Sequence, residues 1–287
     1  DRELGYRREA HYQERGSFVR GNIGEALCLP ANPPEVFDLR YDHRGFRNNT
    51  DMDRADVVVI GDSYVESPML PHASLLTTEL SRRLRTPVAN LGISGYGPEQ
   101  ELVVLKRYAL ALQPKTIVWV FFEGNDLYQL HPEDQEMSAQ PEGMASSNEY
   151  WMRSLTRNLL LLSRKAAQGC VPHPDYLRLR GTFQNLEGKE TLLYFWEKLG
   201  PLKPTDRLRL ERLRSILGDA YAVSRQQGIR LVVAFAPVKH RVHLGLENFT
   251  PLTAEMREWP LNDLPGEVAS LLAKLAPEIE FLDLTPS

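Results

Sequence analysis

Three short stretches hold groups that could do chemistry together. The first is Val58-Val59-Ile60-Gly61-Asp62-Ser63, where a β-branched run ends abruptly in Gly-Asp-Ser. A hydroxyl delivered past a strand end by a glycine turn is a candidate nucleophile. The second is Asn90-Leu91-Gly92-Ile93-Ser94-Gly95-Tyr96-Gly97-Pro98, with three glycines in six residues. Such a turn leaves backbone N–H groups open to close approach by a substrate. The third is Glu123-Gly124-Asn125-Asp126, which offers a side-chain amide donor. Backbone N–H groups and an Asn amide are the parts of an oxyanion hole, which stabilises the oxygen that turns negative when a hydroxyl attacks an ester carbonyl. Each stretch also has a plainer reading. Asp62 or Ser63 could simply cap a helix, and the other two could be an ordinary glycine turn and an Asx-turn.

The surrounding pattern decides whether the three stretches can meet. From Asp56 a regular alternation begins. Strands are expected over 56–60, 88–91, 116–122, 230–236 and 280–284, read from short apolar runs bounded by turn residues. Helices are expected over 70–84, 99–112, 205–227 and 262–275. The first carries Leu75, Leu76, Leu80 and Leu84, and the second Leu102, Leu105, Tyr108, Ala109 and Leu112. Pro98 suits a first helical turn, and Gly228 suits a helix stop. Helices between successive strands imply a parallel sheet with all strand carboxyl ends on one edge. Open α/β sheets place their ligands at that edge. The expectation is a flavodoxin-like three-layer α/β/α sandwich with a five-stranded parallel sheet. Residues 127–203 break the rhythm and are too long for a simple connection. They read as a helical insertion, with at least one helix, over 154–167, forming a cap or wall above that edge. Residues 1–52 read as an irregular lead-in packed on the core, with one short edge strand near Glu35–Leu39 and a turn at 41–48. Residues 53–287 form the main domain.

Composition narrows the function classes. The 287 residues are 42% hydrophobic and carry a net charge of −4, with a sequence pI near 6.0. This gives no electrostatic footprint for nucleic acid. No cluster has metal-ligand spacing, and neither a Gly-x-Gly-x-x-Gly nor a phosphate-loop motif follows the first strand. No cofactor or metal is therefore expected. Cys28 and Cys170 are the two cysteines, free to pair or to sit as buried thiols. The longest apolar run, 117–122, is far below the roughly 18 residues of a membrane span.

Gly61-Asp62-Ser63, the glycine block Asn90 to Gly97, and Gly124-Asn125-Asp126 together resemble the SGNH, or GDSL-type, hydrolases. The resemblance covers 56–126 by motif and 230–284 in layout. It implies an ester hydrolase of the carboxylesterase or acetylesterase kind, with Ser63 as nucleophile. The N–H of Ser63, the N–H of Gly95 and the amide of Asn125 would form the oxyanion hole. Gly95 is preferred to Gly92 because the family's donor follows a Ser or similar residue past the strand end. The substrate would be a small-molecule or carbohydrate acyl ester, acetyl foremost, with no nucleic acid partner. An O-acyltransferase that modifies a polysaccharide, or a catalytically inactive binding relative, are the alternatives.

The chain departs from the family in one block. The family places its catalytic Asp and His as Asp-x-x-His after the fifth strand, and no such motif follows Asp283-Leu284. A serine hydroxyl without a base is a poor nucleophile. The expectation is a chain cut short at its C-terminus, with the block further on. His240 and His243, past the fourth strand, are the substitutes, and their plain reading is polar loop residues. His43, beside Asp42, reads as a surface residue. Resemblance to anchored, exported relatives that begin with a similar Glu-Leu-Gly-Tyr stretch implies an exported or periplasmic setting and an N-terminal membrane anchor outside this chain.

Overall fold

A computed structural model describes residues 3–19, 27–28, 33–130, 177, 179–195 and 200–285. The five apolar runs form one parallel sheet. Its strands are β3 (Val57–Gly61), β4 (Val88–Gly92), β5 (Thr116–Phe122), β8 (Arg230–Ala236) and β10 (Glu280–Asp283). Their spatial order is β10-β8-β5-β3-β4. Counted among themselves in chain order, that is 2-1-3-4-5, the flavodoxin-like winding, whose switch point lies between the first and third strands. Here those are β3 and β5, with Ile60 paired to Trp119. Ser63 and Asn125 follow these two strands.

Alternation along the strands builds two cores. Val58, Ile60, Ile117, Trp119, Phe121, Val233 and Phe235 face one side. They pack against α3 (Pro98–Val104), α5 (Pro204–Gln226) and α8 (Leu264–Leu275). A π-turn at Leu105–Ala109 and a 3-10 turn at Leu110–Leu112 continue α3, so the helical run covers the expected 99–112. Val59, Val120, Phe122 and Ala236 face the other side, with Val65 and Leu80. That smaller cluster lies under α1 (Ser63–Glu66) and α2 (Leu76–Leu84). The result is a three-layer α/β/α sandwich.

Two local expectations need correction. The first helix begins at Leu76, after a 3-10 turn at His72–Ser74. The Arg47 guanidinium donates to the carbonyls of Glu66, Ser67 and Leu70, which ties the preceding loop down. On that helix Leu76 and Leu84 are exposed, and Leu75, Thr77 and Leu80 turn inward. The lead-in holds two strands, not one. β1 (Gln13–Val19) pairs antiparallel with β2 (Pro34–Arg40), and Arg15 opposite Asp38 forms a cross-strand ion pair. Within the 127–203 insertion the described residues include a hairpin. β6 (Arg180–Gln184) and β7 (Glu190–Tyr194) pair antiparallel, and β9 (Phe249–Pro251) joins β6. Before the hairpin comes α4 (Asp126–Gln129), and the single turn α7 (Ala254–Arg257) follows β9. The helix expected at 154–167 lies outside the described residues.

The 41–48 turn is tied to the edge strand of the sheet. Asp42 accepts from the N–H groups of Arg44 and Phe46 and from Asn48 Nδ2. Asn48 in turn bonds both the N–H and the C=O of Asn90 on the edge strand β4. A side-chain amide thus occupies a sheet edge that would otherwise be open to another chain.

Candidate active site

The nucleophile candidate is positioned by two glycines. A Cβ on Gly61 would lie 2.6 Å from Val65 Cγ2, and one on Gly92 would lie 2.5 Å from the Glu66 nitrogen. Only glycine at both strand ends lets α1 seat this closely on β3 and β4. Ser63 opens α1 and is half-buried. Asp62 caps that helix through Tyr64 N–H at 2.9 Å, so the capping reading of Gly-Asp-Ser holds as well.

Asp62 also joins two of the three stretches. Its Oδ2 accepts from Ser63 Oγ at 3.4 Å and from Asn125 Nδ2 at 3.2 Å. The hydroxyl and the amide therefore stand at one fully buried carboxylate. Asn125 precedes α4, and Asp126 closes that turn by accepting the Phe122 N–H at 2.6 Å.

The glycine block has one open donor. The N–H of Gly92 goes to Asn90 Oδ1, that of Ile93 to the Gly61 carbonyl, and that of Ser94 to Glu66 Oε2. The N–H of Tyr96 goes to the Ile93 carbonyl, and that of Gly97 to Gln100 Oε1. The exposed Gly95, with φ at 84°, and Ser63 are left with no acceptor for their N–H among the described residues.

Two ionised or ionisable layers surround these groups. Glu123, just before Gly124-Asn125, is fully buried and forms a bidentate pair with Arg241 at 2.6–3.0 Å. Glu123 also accepts the Val238 N–H, and Arg241 also bonds Asn262. Beneath the site lie Glu101 and Asp126. Burial, then the neighbouring carboxylates, hold both well above the ordinary carboxylate range. Among the described residues no group of three or more His, Cys, Asp or Glu side chains could hold a metal ion.

None of the five described histidines hydrogen-bonds Ser63. His240 and His243 lie on a helix, α6 (Lys239–Leu244), not in a loop. The His240 ring stacks on Trp259 at 4.2 Å and meets Phe195 edge-on. Burial, then the Arg241 charge, pushes its pKa down to about 4. His243 bonds the Lys239 carbonyl, His43 and His11 face Asp51, and His72 faces Thr78. A cavity of about 580 Å³ lies along α2 and the start of β4, lined by Thr77, Ser81 and Arg85 among others. It contains none of Ser63, Gly95 and Asn125.

Sequence reasoning missed Glu66, Glu101 and the Glu123–Arg241 pair. Nothing local distinguishes a buried Glu in a helix from a solvated one.

No protein-family profile and no curated protein matches the chain. Solved structures do. One is assigned to the G-D-S-L lipolytic family in Desulfitobacterium hafniense DCB-2, at 14% identity over 79% of this chain and 75% of that one, with a TM-score of 0.36. The SGNH-hydrolase family esterase AlinE4 is also 14% identical over 80% and 77%, TM-score 0.36. An acetyl xylan esterase from the rumen bacterium Butyrivibrio proteoclasticus is 11% identical over 88% and 66%, TM-score 0.37.

Proposed function

We propose that the protein is a serine ester hydrolase acting on small or carbohydrate acyl esters, acetyl esters foremost. Ser63 Oγ attacks the acyl carbonyl, and a C–O bond forms. The carbonyl oxygen becomes negative and is held by the N–H of Ser63, the N–H of Gly95 and the Asn125 amide. Collapse expels the alcohol and leaves an acyl-serine, which water cleaves. The observation that supports this most is the hydrogen-bond inventory of the rim. In the 92–97 turn, Gly95 is the single N–H left open, and it is the donor that the motif assigns. The Ser63 proton passes to a general base and from it to the leaving alcohol. Transfer of the acyl group to a sugar hydroxyl instead of water uses the same acyl-enzyme.

Cys28 is disulfide-bonded, which supports an oxidising compartment outside the cytoplasm. No described helix is long and apolar enough to cross a membrane. Cys170 lies outside the described residues.

A fluorophosphonate probe followed by peptide mapping tests the reading. The expected result is a label on Ser63 that disappears in Ser63→Ala, with hydrolysis of p-nitrophenyl acetate lost in the same variant. Asn125→Ala is expected to lower kcat by about 10²-fold. Activity retained in Ser63→Ala would overturn the assignment, and an unlabelled, inactive protein favours the binding relative.

A further inference from the structure

Glu66 is a buried carboxylate that no catalytic role uses. It sits three residues after Ser63 on α1 and has no exposed surface. One oxygen, Oε2, accepts the backbone N–H of Ser94 at 2.6 Å. The other, Oε1, accepts from Tyr41 Oη at 2.5 Å and from Arg8 Nε at 3.2 Å. Ser94 immediately precedes Gly95. Tyr41 and Arg8 both belong to the lead-in, and Tyr41 is itself buried. The lead-in reaches the turn by a second route. The Tyr96 hydroxyl donates to the Tyr6 carbonyl, the two rings meet edge-on at 5.6 Å, and the Tyr6 hydroxyl lies 3.0 Å from where a Gly95 Cβ would stand.

We propose that Glu66 is a positioning residue for the acyl-transfer reaction, and that Tyr41 and Arg8 of the lead-in belong to the working site because they hold Glu66 in place. The inference rests on the esterase reading above. The reaction needs a fixed distance between Ser63 Oγ and the Gly95 N–H. These groups stand on two separate strand-end turns, and glycine-rich turns are mobile unless tied. One carboxylate on the nucleophile's own helix, bonded to the N–H next to the donor, removes that freedom. A neutral or unpaired acceptor would do this less well, since hydrogen bonds to an ionised group are the stronger ones. Burial alone would raise the Glu66 pKa, but the bonds from Ser94 and Tyr41 and the Arg8 charge bring it below its ordinary value, so it is ionised where it is needed. A misplacement of about 1 Å at a reacting centre costs on the order of 10²-fold in rate.

The full chain and its Glu66→Ala, Glu66→Gln and Tyr41→Phe variants are compared in two measurements. In the first, kcat and KM for p-nitrophenyl acetate are determined beside the rate of fluorophosphonate labelling. Glu66→Ala is expected to lose about tenfold or more in kcat and labelling with KM changed less than about twofold. Glu66→Gln, which keeps an acceptor, recovers part of the loss, and Tyr41→Phe loses about threefold. In the second, amide hydrogen exchange is followed over the 92–97 peptide. Exchange there is expected to speed up about tenfold in Glu66→Ala at temperatures where the melt shows the variant folded. Parent-like exchange in 92–97, or faster exchange with parent-like kcat and labelling, overturns the proposal. If the parent chain is itself inactive and unlabelled, it is the esterase reading that has failed. The reaction-positioning claim falls with it, and the exchange result then reports Glu66 as a purely structural tie.

Discussion

Asp62 carries two duties that seldom coincide at one residue. It caps α1 through Tyr64 N–H, and it accepts from both Ser63 Oγ and Asn125 Nδ2. A helix cap and a link between the two strand-end turns therefore depend on one buried carboxylate, and the buried acids around it set its surroundings. Glu101 is held well above its usual range by burial, then by the Asp126 and Asp62 charges, and Asp126 by burial, then by the Asp62 charge. A carboxyl group with a raised folded-state pKa favours the folded protein at low pH, and that contribution is lost as pH climbs from the unfolded value toward the folded one. These two groups therefore make the protein less stable as pH rises above about 4, the ordinary carboxylate range. Glu101→Gln, which stays neutral, is expected to flatten that decline, as read from thermal melts between about pH 5 and pH 9. A decline as steep as the parent's would show that Glu101 is already ionised. His240 acts in the opposite sense. Its pKa is depressed to about 4, so its contribution is complete above about 6.5 and lost as pH falls between the two.

At the scale of elements, the tight seat of α1 on the sheet is the feature most open to test. The Gly92 Cα faces the backbone of α1, and a Cβ there would sit 2.5 Å from the Glu66 nitrogen and from Val65 Cβ. Neither neighbour is the end of a flexible side chain. Gly92→Ala is expected to destabilise the protein by about 1–3 kcal/mol or more, the range for overpacked cores. It should also lower the rate of Ser63 labelling, because α1 must shift outward. Gly245→Ala is the control. Gly245 caps α6 at φ −86° with nothing within 4 Å of where an added methyl group would stand, so its change should stay within about 0.5 kcal/mol. Urea titrations of both variants check the contrast. Equal midpoints would mean that α1 has room to yield.

For the whole molecule, the Glu123–Arg241 pair ties the turn after β5 to the helix after β8 across 118 residues. Arg241→Met leaves a fully buried carboxylate without its partner and is expected to cost about 3–5 kcal/mol in a urea titration. The double variant with Glu123→Gln should recover part of that loss, since the stranded charge is gone. The lead-in works in the same way from the other side. Asn48 closes the β4 edge, Arg47 ties the 66–70 loop, and Tyr41 and Arg8 meet Glu66. A segment that reads as irregular in sequence is thus wired into the rim where Ser63 stands.

The sequence by itself determined the sheet. Strands buried on both faces must be apolar throughout, so 116–122 and 230–236 are visible as uninterrupted runs and match β5 and β8 residue for residue. It also brought Ser63, the 92–97 turn and Asn125 to one edge, because right-handed crossovers leave no other arrangement. The β1 strand escaped notice because its exposed residues are mostly polar and show no alternation that burial would impose. Only the tertiary structure decided which polar side chains meet. Glu66 and Ser94 are 28 residues apart, Glu123 and Arg241 far more, and a Glu on a short helix has the same local sequence whether it faces water or a buried N–H. Partner choice for a buried charge depends on what the fold carries up to it, and no local pattern encodes that.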